Sequence, residues 1–174
     1  MFNYNIKMTD NEIKIYELNN EQLNDMKKLE DDLMKCTFAT SGNRRMLTTN
    51  FNRPTSMPIG MKKKLGGEYA DCAFDKNHPH IYPQIRDLVN SICPDFDFNA
   101  GYINKNVQMI PHRDKNNVDT SIIFGLGNYT GGEVNVEGEK IDIHYRVAEF
   151  DGKRKTHWTE FFTPDRFSVI LYKI

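Results

Sequence analysis

Apolar residues in the first half of the chain recur at helical spacing in two segments. In Asn20–Cys36 they form one stripe at three- and four-residue steps, and Asn20 is the expected N-cap. In His80–Cys93 a second stripe begins beside Pro83, which suits an early helical position, and Pro94 ends it. The sequence therefore predicts two amphipathic helices. Their stripes are Leu23, Met26, Leu29 and Leu33 in the first, and Tyr82, Ile85, Leu88, Val89 and Ile92 in the second.

From Phe96 onward the pattern changes to short alternating segments separated by turns. In Phe96–Met109 apolar residues such as Ile103 alternate with amide side chains such as Asn104 and Asn106. An amide-rich strand face either meets water or lines a polar pocket. Further strands are predicted at Thr120–Gly125, Glu133–Val136, Lys140–Arg146 and Phe167–Tyr172, with turns at Gly125–Gly132 and Asp151–Gly152.

Two helices followed by many short strands predict a mostly β fold with flanking helices (α+β). The expected architecture is a double-stranded β-helix, or jelly roll. One domain is expected over 1–174, with a helical N-terminal part at about 1–95 and a β-helix core at about 96–174.

Two N-terminal segments have weaker patterns. Glu12–Leu18 alternates and is consistent with a short strand. Thr37–Gly67 shows no period, so we expect a long loop. It is either a solvated surface loop or a substrate-binding lid whose cations, including Arg44 and Arg45 and the triplet Lys62–Lys64, contact phosphates or carboxylates.

Composition narrows the function classes. The net charge of −1 gives no overall field that would draw the chain onto nucleic acid or an anionic membrane. Three widely spaced cysteines argue against a disulfide framework and favour a reducing compartment. The first residues are too polar for a signal peptide, and no apolar run approaches a membrane span. We therefore expect an intracellular protein with no membrane partner; its oligomeric state is open.

Three residues have the types and spacing of a metal site. His112 and Asp114 are two residues apart beside a predicted strand, so their side chains share a face. His157 is the expected third ligand. Two histidines and one carboxylate form the facial triad of non-haem Fe(II) oxygenases. His144 is a rival third ligand, and His78 and His80 are further metal-binding candidates at a helix entry.

A candidate anion clamp follows the triad. Arg166 lies nine residues after His157, and Ser168 shares its strand face. A guanidinium binds a carboxylate through two hydrogen bonds, and a neighbouring hydroxyl adds another. A dicarboxylate such as 2-oxoglutarate, with one end on the metal, needs this arrangement.

The order H-x-D, distal His, then R-x-S resembles the Fe(II)/2-oxoglutarate-dependent dioxygenases and their double-stranded β-helix fold. The segments HRDKNN, SIIFGLGNYTGGEV and FDGKRKTHWTEFFTPDRFSVILY look like the ten-eleven-translocation and J-binding-protein branch, over roughly Tyr102 to Tyr172. The resemblance implies that His112, Asp114 and His157 hold Fe(II). It also implies 2-oxoglutarate bound by Arg166 and Ser168, with O2 as the oxidant.

The resemblance further implies a substrate and a wider set of site residues. The expected reaction is hydroxylation of the methyl group of thymine or 5-methylcytosine in DNA. A protein side chain or a small metabolite is an alternative substrate, and a metal-free binding module is the non-enzyme alternative. Residues expected near co-substrate or substrate are Asn106, Tyr102, Asn104, Asn117, Trp158 and Phe161, with phosphate contacts from Arg44, Arg45, Lys62–Lys64 and Lys153–Lys155.

Overall fold

The computed structural model describes residues 6–39 and 55–174. Arg44 and Arg45, together with much of the predicted loop, therefore lie outside the described residues. Within the described part the helices are α1 (Asn20–Lys35), α2 (Ala73–Asn77) and α3 (Ile81–Ile92). The strands are β1 (Ile6–Met8), β2 (Lys14–Tyr16), β3 (Thr55–Lys63), β4 (Tyr69–Asp71), β5 (Ala100–Lys105), β6 (Ser121–Gly127), β7 (Val134–Val136), β8 (Glu139–Ile141), β9 (Val147–Phe150), β10 (His157–Thr159) and β11 (Arg166–Tyr172).

Two antiparallel sheets make the predicted jelly roll. The large sheet has the order β1-β2-β9-β6-β11-β5-β3-β4, and the small sheet has the order β10-β7-β8. An apolar cluster joins the facing sides of the two sheets, with Ile123 and Ala148 from the large sheet and Val136 and Ile141 from the small one. The predicted mostly β fold is confirmed, and the weak alternation near Tyr16 corresponds to β2.

Both predicted helices are present and cover the other face of the large sheet. Met26, Leu29 and Leu33 of α1 are buried in a core cluster that includes Val169 and Leu171 of β11. The N-cap is Asn19 rather than the predicted Asn20. Asn19 Oδ1 accepts from Gln22 N at 2.9 Å, and Gln22 Oε1 accepts from Asn19 N at 3.0 Å, so a capping box fixes the helix start one residue earlier.

The predicted loop Thr37–Gly67 is wrong over its C-terminal part, because β3 runs from Thr55 to Lys63. Pro58 and Gly60 interrupt the alternation that marks a strand. Pro58 is tolerated because only one side of β3 is paired at this point: Thr55–Gly60 pair with β5, whereas β4 pairs only with Met61–Lys63. At Pro58 the strand is therefore an edge strand, where a missing N–H costs no ladder hydrogen bond.

The register divides β11 into two faces with different partners. Phe167, Val169 and Leu171 face the helices. Their neighbours alternate to the opposite face, which is the interior of the jelly roll, where Ile170 packs against the cluster between the sheets. Arg166 and Ser168 lie on this interior face. The polar positions predicted from the sequence therefore point between the two sheets.

Candidate metal centre

Reciprocal backbone hydrogen bonds bring the two candidate histidine ligands together. His112 N donates to His157 O and His157 N donates to His112 O, both at 3.0 Å. This one-residue antiparallel bridge joins the segment after β5 to β10. Because directly opposed residues in such a bridge project to the same side, the imidazoles lie side by side with ring centroids 4.3 Å apart.

Asp114 completes a cluster with the two histidines. Its backbone N donates to Gly152 O at 2.9 Å. This bond fixes the segment between β5 and β6 that carries His112 and Asp114, termed the metal loop, against the turn before β10. Its carboxylate oxygens lie 3.7 Å from His112 Nε2 and 3.5 Å from His157 Nε2. The candidate ligand atoms of all three residues lie within 4.8 Å of one another. His157 is buried, while His112 and Asp114 are partly open to solvent.

The surrounding hydrogen bonds fit this cluster to a divalent metal. His112 Nδ1 is 2.7 Å from Ile110 O, and His157 Nδ1 is 3.0 Å from Lys155 O. Since a carbonyl only accepts, each Nδ1 carries the proton, and each Nε2 presents a lone pair. Two neutral imidazoles and a carboxylate are ligands that suit Fe(II).

Asn117 and Gly152 support the aspartate. Asn117 Nδ2 donates to Asp114 Oδ2 at 3.4 Å and to Ser121 Oγ at 2.7 Å, so this buried amide orients the carboxylate. A Cβ at Gly152 would lie 3.0 Å from Asp114 Oδ2 and 3.3 Å from His157 Cε1. A larger residue at position 152 would therefore crowd these two side chains.

Arg166 is a buried cation inside the jelly roll, with 1% of its surface exposed. Its Nη2 donates to Gly132 O at 2.9 Å, whereas Nε makes no hydrogen bond among the described residues. Burial lowers the pKa of its guanidinium. Arg166 also forms no ion pair within the ranges that the structure describes. A buried, uncompensated cation is costly, so the site is built to receive an anion.

Tyr129 is a site residue that the sequence did not predict. It is 5% exposed, and its ring lies against Arg166, with the guanidinium carbon 5.4 Å from the ring centroid. Its hydroxyl is buried and has no hydrogen-bond partner in the described part of the chain. Burial raises the pKa of Tyr129 to about 12, against the opposing effect of Arg166, so it is a neutral donor at pH 7. Its position in GLGNYTGG, a glycine-rich segment, was the available signal.

A row of buried polar side chains crosses the interior face beside Arg166. Ser56 Oγ donates to Asn104 Oδ1 at 2.6 Å, and Asn104 Nδ2 donates to Ser168 Oγ at 3.4 Å. Asn106 contacts the backbone of Arg166. Its Oδ1 accepts from Arg166 N at 2.9 Å and its N donates to Arg166 O at 2.8 Å, so it fixes the backbone of Arg166.

A cavity of about 1050 Å³ opens beside the metal cluster and includes His112, Asp114 and Asn117 in its wall. Tyr102 and Tyr172 also line it and are stacked, with ring centroids 6.3 Å apart. Four cationic side chains line it, two from the β3–β4 hairpin and two from the metal loop: Lys62, Lys63, Arg113 and Lys115. Asp114 is its sole acidic lining residue in the described ranges, so the cavity wall carries net positive charge.

Other predicted residues lie away from this cavity. Trp158 alternates to the face of β10 opposite His157, where its Nε1 donates to Glu160 Oε1 at 3.1 Å. Phe161 is exposed, and Lys155 contacts Asn11 and Glu12 at the β1–β2 turn. These residues do not line the cavity. For Trp158 the reason is the two-residue period of a strand, which turns it away from its neighbour His157.

The remaining histidines are outside the cluster. His144, the rival third ligand, donates from Nε2 to Gly127 O at 2.8 Å and is not grouped with His112 and Asp114. His78 packs on Phe74, with ring centroids 4.7 Å apart, and His80 is an exposed residue at the start of α3.

Comparisons with known proteins identify the fold. Neither protein-family models nor curated protein sequences match the chain. Solved structures do. OsALKBH1 has 13% identity and a TM-score of 0.60, with 97% of this chain and 100% of that chain covered. NgTET1 in complex with 5mC DNA has 14% identity and a TM-score of 0.58, with 92% of this chain and 70% of that chain covered.

A third similar structure is a prolyl hydroxylase from Trichoplax adhaerens in complex with a hypoxia inducible factor peptide fragment. It has 14% identity and a TM-score of 0.56, with 94% of this chain and 83% of that chain covered. All three proteins belong to the 2OG-Fe(II) oxygenase superfamily. This chain has the jelly-roll fold of the 2OG-Fe(II) oxygenases, as its sequence predicted.

Proposed function

We propose that the protein is an Fe(II)- and 2-oxoglutarate-dependent oxygenase that hydroxylates a C–H bond. The convergence of His112, Asp114 and His157 within 4.8 Å carries this proposal. In the proposal these three residues hold Fe(II), which with 2-oxoglutarate and O2 supplies the oxidising chemistry. Three ligands of these types would leave the metal with positions for co-substrate and O2.

The chain's own residues would bind and orient the co-substrate. Arg166 and Tyr129 present a buried guanidinium Nε–H and a buried phenol O–H with no partner in the described ranges, and a distal carboxylate accepts from both. Ser168 and Asn104 extend the polar face along the same interior side. Burial excludes water from these donors, which strengthens each hydrogen bond to an anion.

For the substrate we propose the methyl group of thymine or 5-methylcytosine in DNA. Three observations support this class: the net positive lining of the cavity, the stacked pair Tyr102 and Tyr172 in that lining, and the fold shared with NgTET1 in complex with 5mC DNA. Lys62, Lys63, Arg113 and Lys115 suit phosphate contacts, and aromatic lining residues suit a flat base.

A succinate-release assay tests the proposal. The protein is given Fe(II), 2-oxoglutarate and O2 with methylated DNA, unmethylated DNA, nucleotides or peptides. We expect release to rise with methylated DNA and the DNA product to gain one oxygen atom. A peptide product without a DNA product would replace the substrate with a protein side chain, the alternative favoured by the shared prolyl hydroxylase fold. Failure to bind Fe(II) or 2-oxoglutarate would favour the binding-module alternative.

A further inference from the structure

His144 packs against two aromatic rings, those of Tyr129 and Tyr145. Its ring centroid is 4.4 Å from that of Tyr129 and 4.5 Å from that of Tyr145. Its Nε2 lies 2.8 Å from Gly127 O. Since the carbonyl only accepts, Nε2 carries the proton that makes this hydrogen bond.

Two of these contacts of His144, with Gly127 and with Tyr129, lead to Arg166. Gly127 is the residue paired with Arg166 in the β6–β11 ladder, so His144 is anchored to the backbone opposite the guanidinium. Tyr129, the other contact, lies against the guanidinium itself. His144 thus touches both the phenol and the strand segment that frame the buried cation.

The hydroxyl of Tyr129 needs such support. It occupies space that Gly125 leaves empty, since a Cβ there would lie 2.2 Å from Tyr129 Oη. Its hydroxyl makes no hydrogen bond among the described residues, and the polar group beside it is the guanidinium of Arg166. Packing has to orient the ring, and His144 is packed on it.

The position of His144 is itself fixed by its neighbours. Its own N donates to Asp142 Oδ1 at 2.9 Å. Gly125 N donates to Ile143 O at 2.8 Å and Tyr145 N donates to Gly125 O at 2.9 Å, which attaches the segment to β6 on both sides of His144. Tyr145 Oη donates to Glu30 of α1 at 2.5 Å and holds the other side of the stack.

We propose that His144 is a positioning residue for the distal carboxylate of the co-substrate. It holds Tyr129 so that the phenol O–H and Arg166 bind that carboxylate together. This inference rests on the proposed function, because it assigns the second arm of the 2-oxoglutarate clamp to an oriented tyrosine.

The test measures binding rather than turnover. Wild type, His144→Ala, Tyr129→Phe and the double variant are loaded with Mn(II), and calorimetry gives the Kd of 2-oxoglutarate and of 2-oxopentanoate, which lacks the distal carboxylate. His78→Ala is the matched control, because His78 is also half-buried and also packs on an aromatic ring. His144→Gln keeps a donor for Gly127 but loses the ring, and it replaces the alanine variant if that variant does not fold.

We expect His144→Ala to raise the Kd of 2-oxoglutarate about tenfold, the size of one lost hydrogen bond to a charged group. The Kd values of 2-oxopentanoate and of Mn(II) should stay within about twofold of the wild-type values, which is the variation expected when a substitution is independent of the bound ligand. In the Tyr129→Phe background the histidine change should add little, because its effect passes through the phenol. His78→Ala should change none of these values.

Three results would overturn the inference: an unchanged Kd for 2-oxoglutarate, an equal loss with 2-oxopentanoate, or additive losses in the double variant. Each leaves the proposed function standing, because wild type still binds the co-substrate. Absence of 2-oxoglutarate binding by Mn(II)-loaded wild type would instead overturn the proposed function, and the inference with it.

Discussion

The side chain of Asn117 orients the candidate ligand Asp114. Asn117 donates to the carboxylate and is buried, whereas its neighbour Asn116 is exposed. Residues that orient metal ligands typically contribute 10–100-fold to metal affinity. We therefore expect Asn117→Ala to raise the Kd of Fe(II) or Mn(II) at least about tenfold. Metal titration checks this, with Asn116→Ala as the control; equal affinities for the two variants would contradict it.

Replacing Arg166 should stabilise the ligand-free protein and weaken its binding of 2-oxoglutarate. The cation is buried without a carboxylate partner among the described residues, so its charge costs free energy until an anion arrives. Arg166→Met keeps much of the volume and removes the charge. We expect the free energy of unfolding of the ligand-free protein to rise by about 1–3 kcal/mol.

The same substitution should raise the Kd of 2-oxoglutarate more than about tenfold, because it removes a charge-assisted hydrogen bond. Metal affinity should not change, since Arg166 is not a ligand. Urea denaturation and calorimetry measure the two effects. A variant that is less stable and binds 2-oxoglutarate normally would assign Arg166 a purely structural role.

Helix α1 depends on its capping box for its start. Asn19 and Gln22 satisfy two amide groups at the N-terminus, and Gln22 Nε2 also donates to Ser91 O of α3 at 2.7 Å. Asn19→Ala should lower the free energy of unfolding by about 1 kcal/mol, whereas the exposed Asn24→Ala should change it by less than about 0.5 kcal/mol. Denaturant titration checks both. Metal affinity is the control, because α1 does not contribute a ligand.

The β3–β4 hairpin places two lysines on the wall of the cavity. If DNA phosphates contact them, Lys62→Glu with Lys63→Glu should weaken DNA binding. The slope of the logarithm of the binding constant against the logarithm of the salt concentration should become shallower by about 0.9 for each lost phosphate contact. Lys27→Glu with Lys28→Glu changes the net charge equally on the exposed face of α1. Fluorescence anisotropy at several salt concentrations compares them. Equal effects would point to overall charge and not to this wall.

At the scale of the whole molecule, the sequence predicted what has a period or a fixed spacing. The helical stripes and the two-residue step from His112 to Asp114 depend on local geometry, and the structure has the corresponding elements. Tyr129 was missed because its meeting with Arg166 depends on how β6 and β11 pair across the sheet. Strand β3 was missed because Pro58 breaks the local pattern while pairing with β5 supplies the stability.

Four buried thiols and phenols of the described residues give the last prediction, which concerns alkaline pH. Burial raises the pKa of Cys72 to about 11, of Cys93 to about 12 and of Tyr129 to about 12, and it also raises the pKa of Tyr16. Their ordinary values are 9.0 for thiols and 10.0 for phenols. Above those values the unfolded chain loses protons that the folded chain keeps.

Below pH 9 these groups therefore do not change the free energy of unfolding. Above pH 9 the free energy of unfolding falls by about 1.4 kcal/mol per pH unit for each group that is ionised in the unfolded chain but not in the folded one. We expect Tm to fall steeply between pH 9 and pH 11. The Tm of the double variant Cys72→Ala/Cys93→Ala should fall less over that interval than the Tm of wild type. The difference between the two proteins at pH 7 accounts for the packing that the variant has lost. An identical pH slope in the two proteins would show that these thiols are not the groups that make the fold sensitive to alkali.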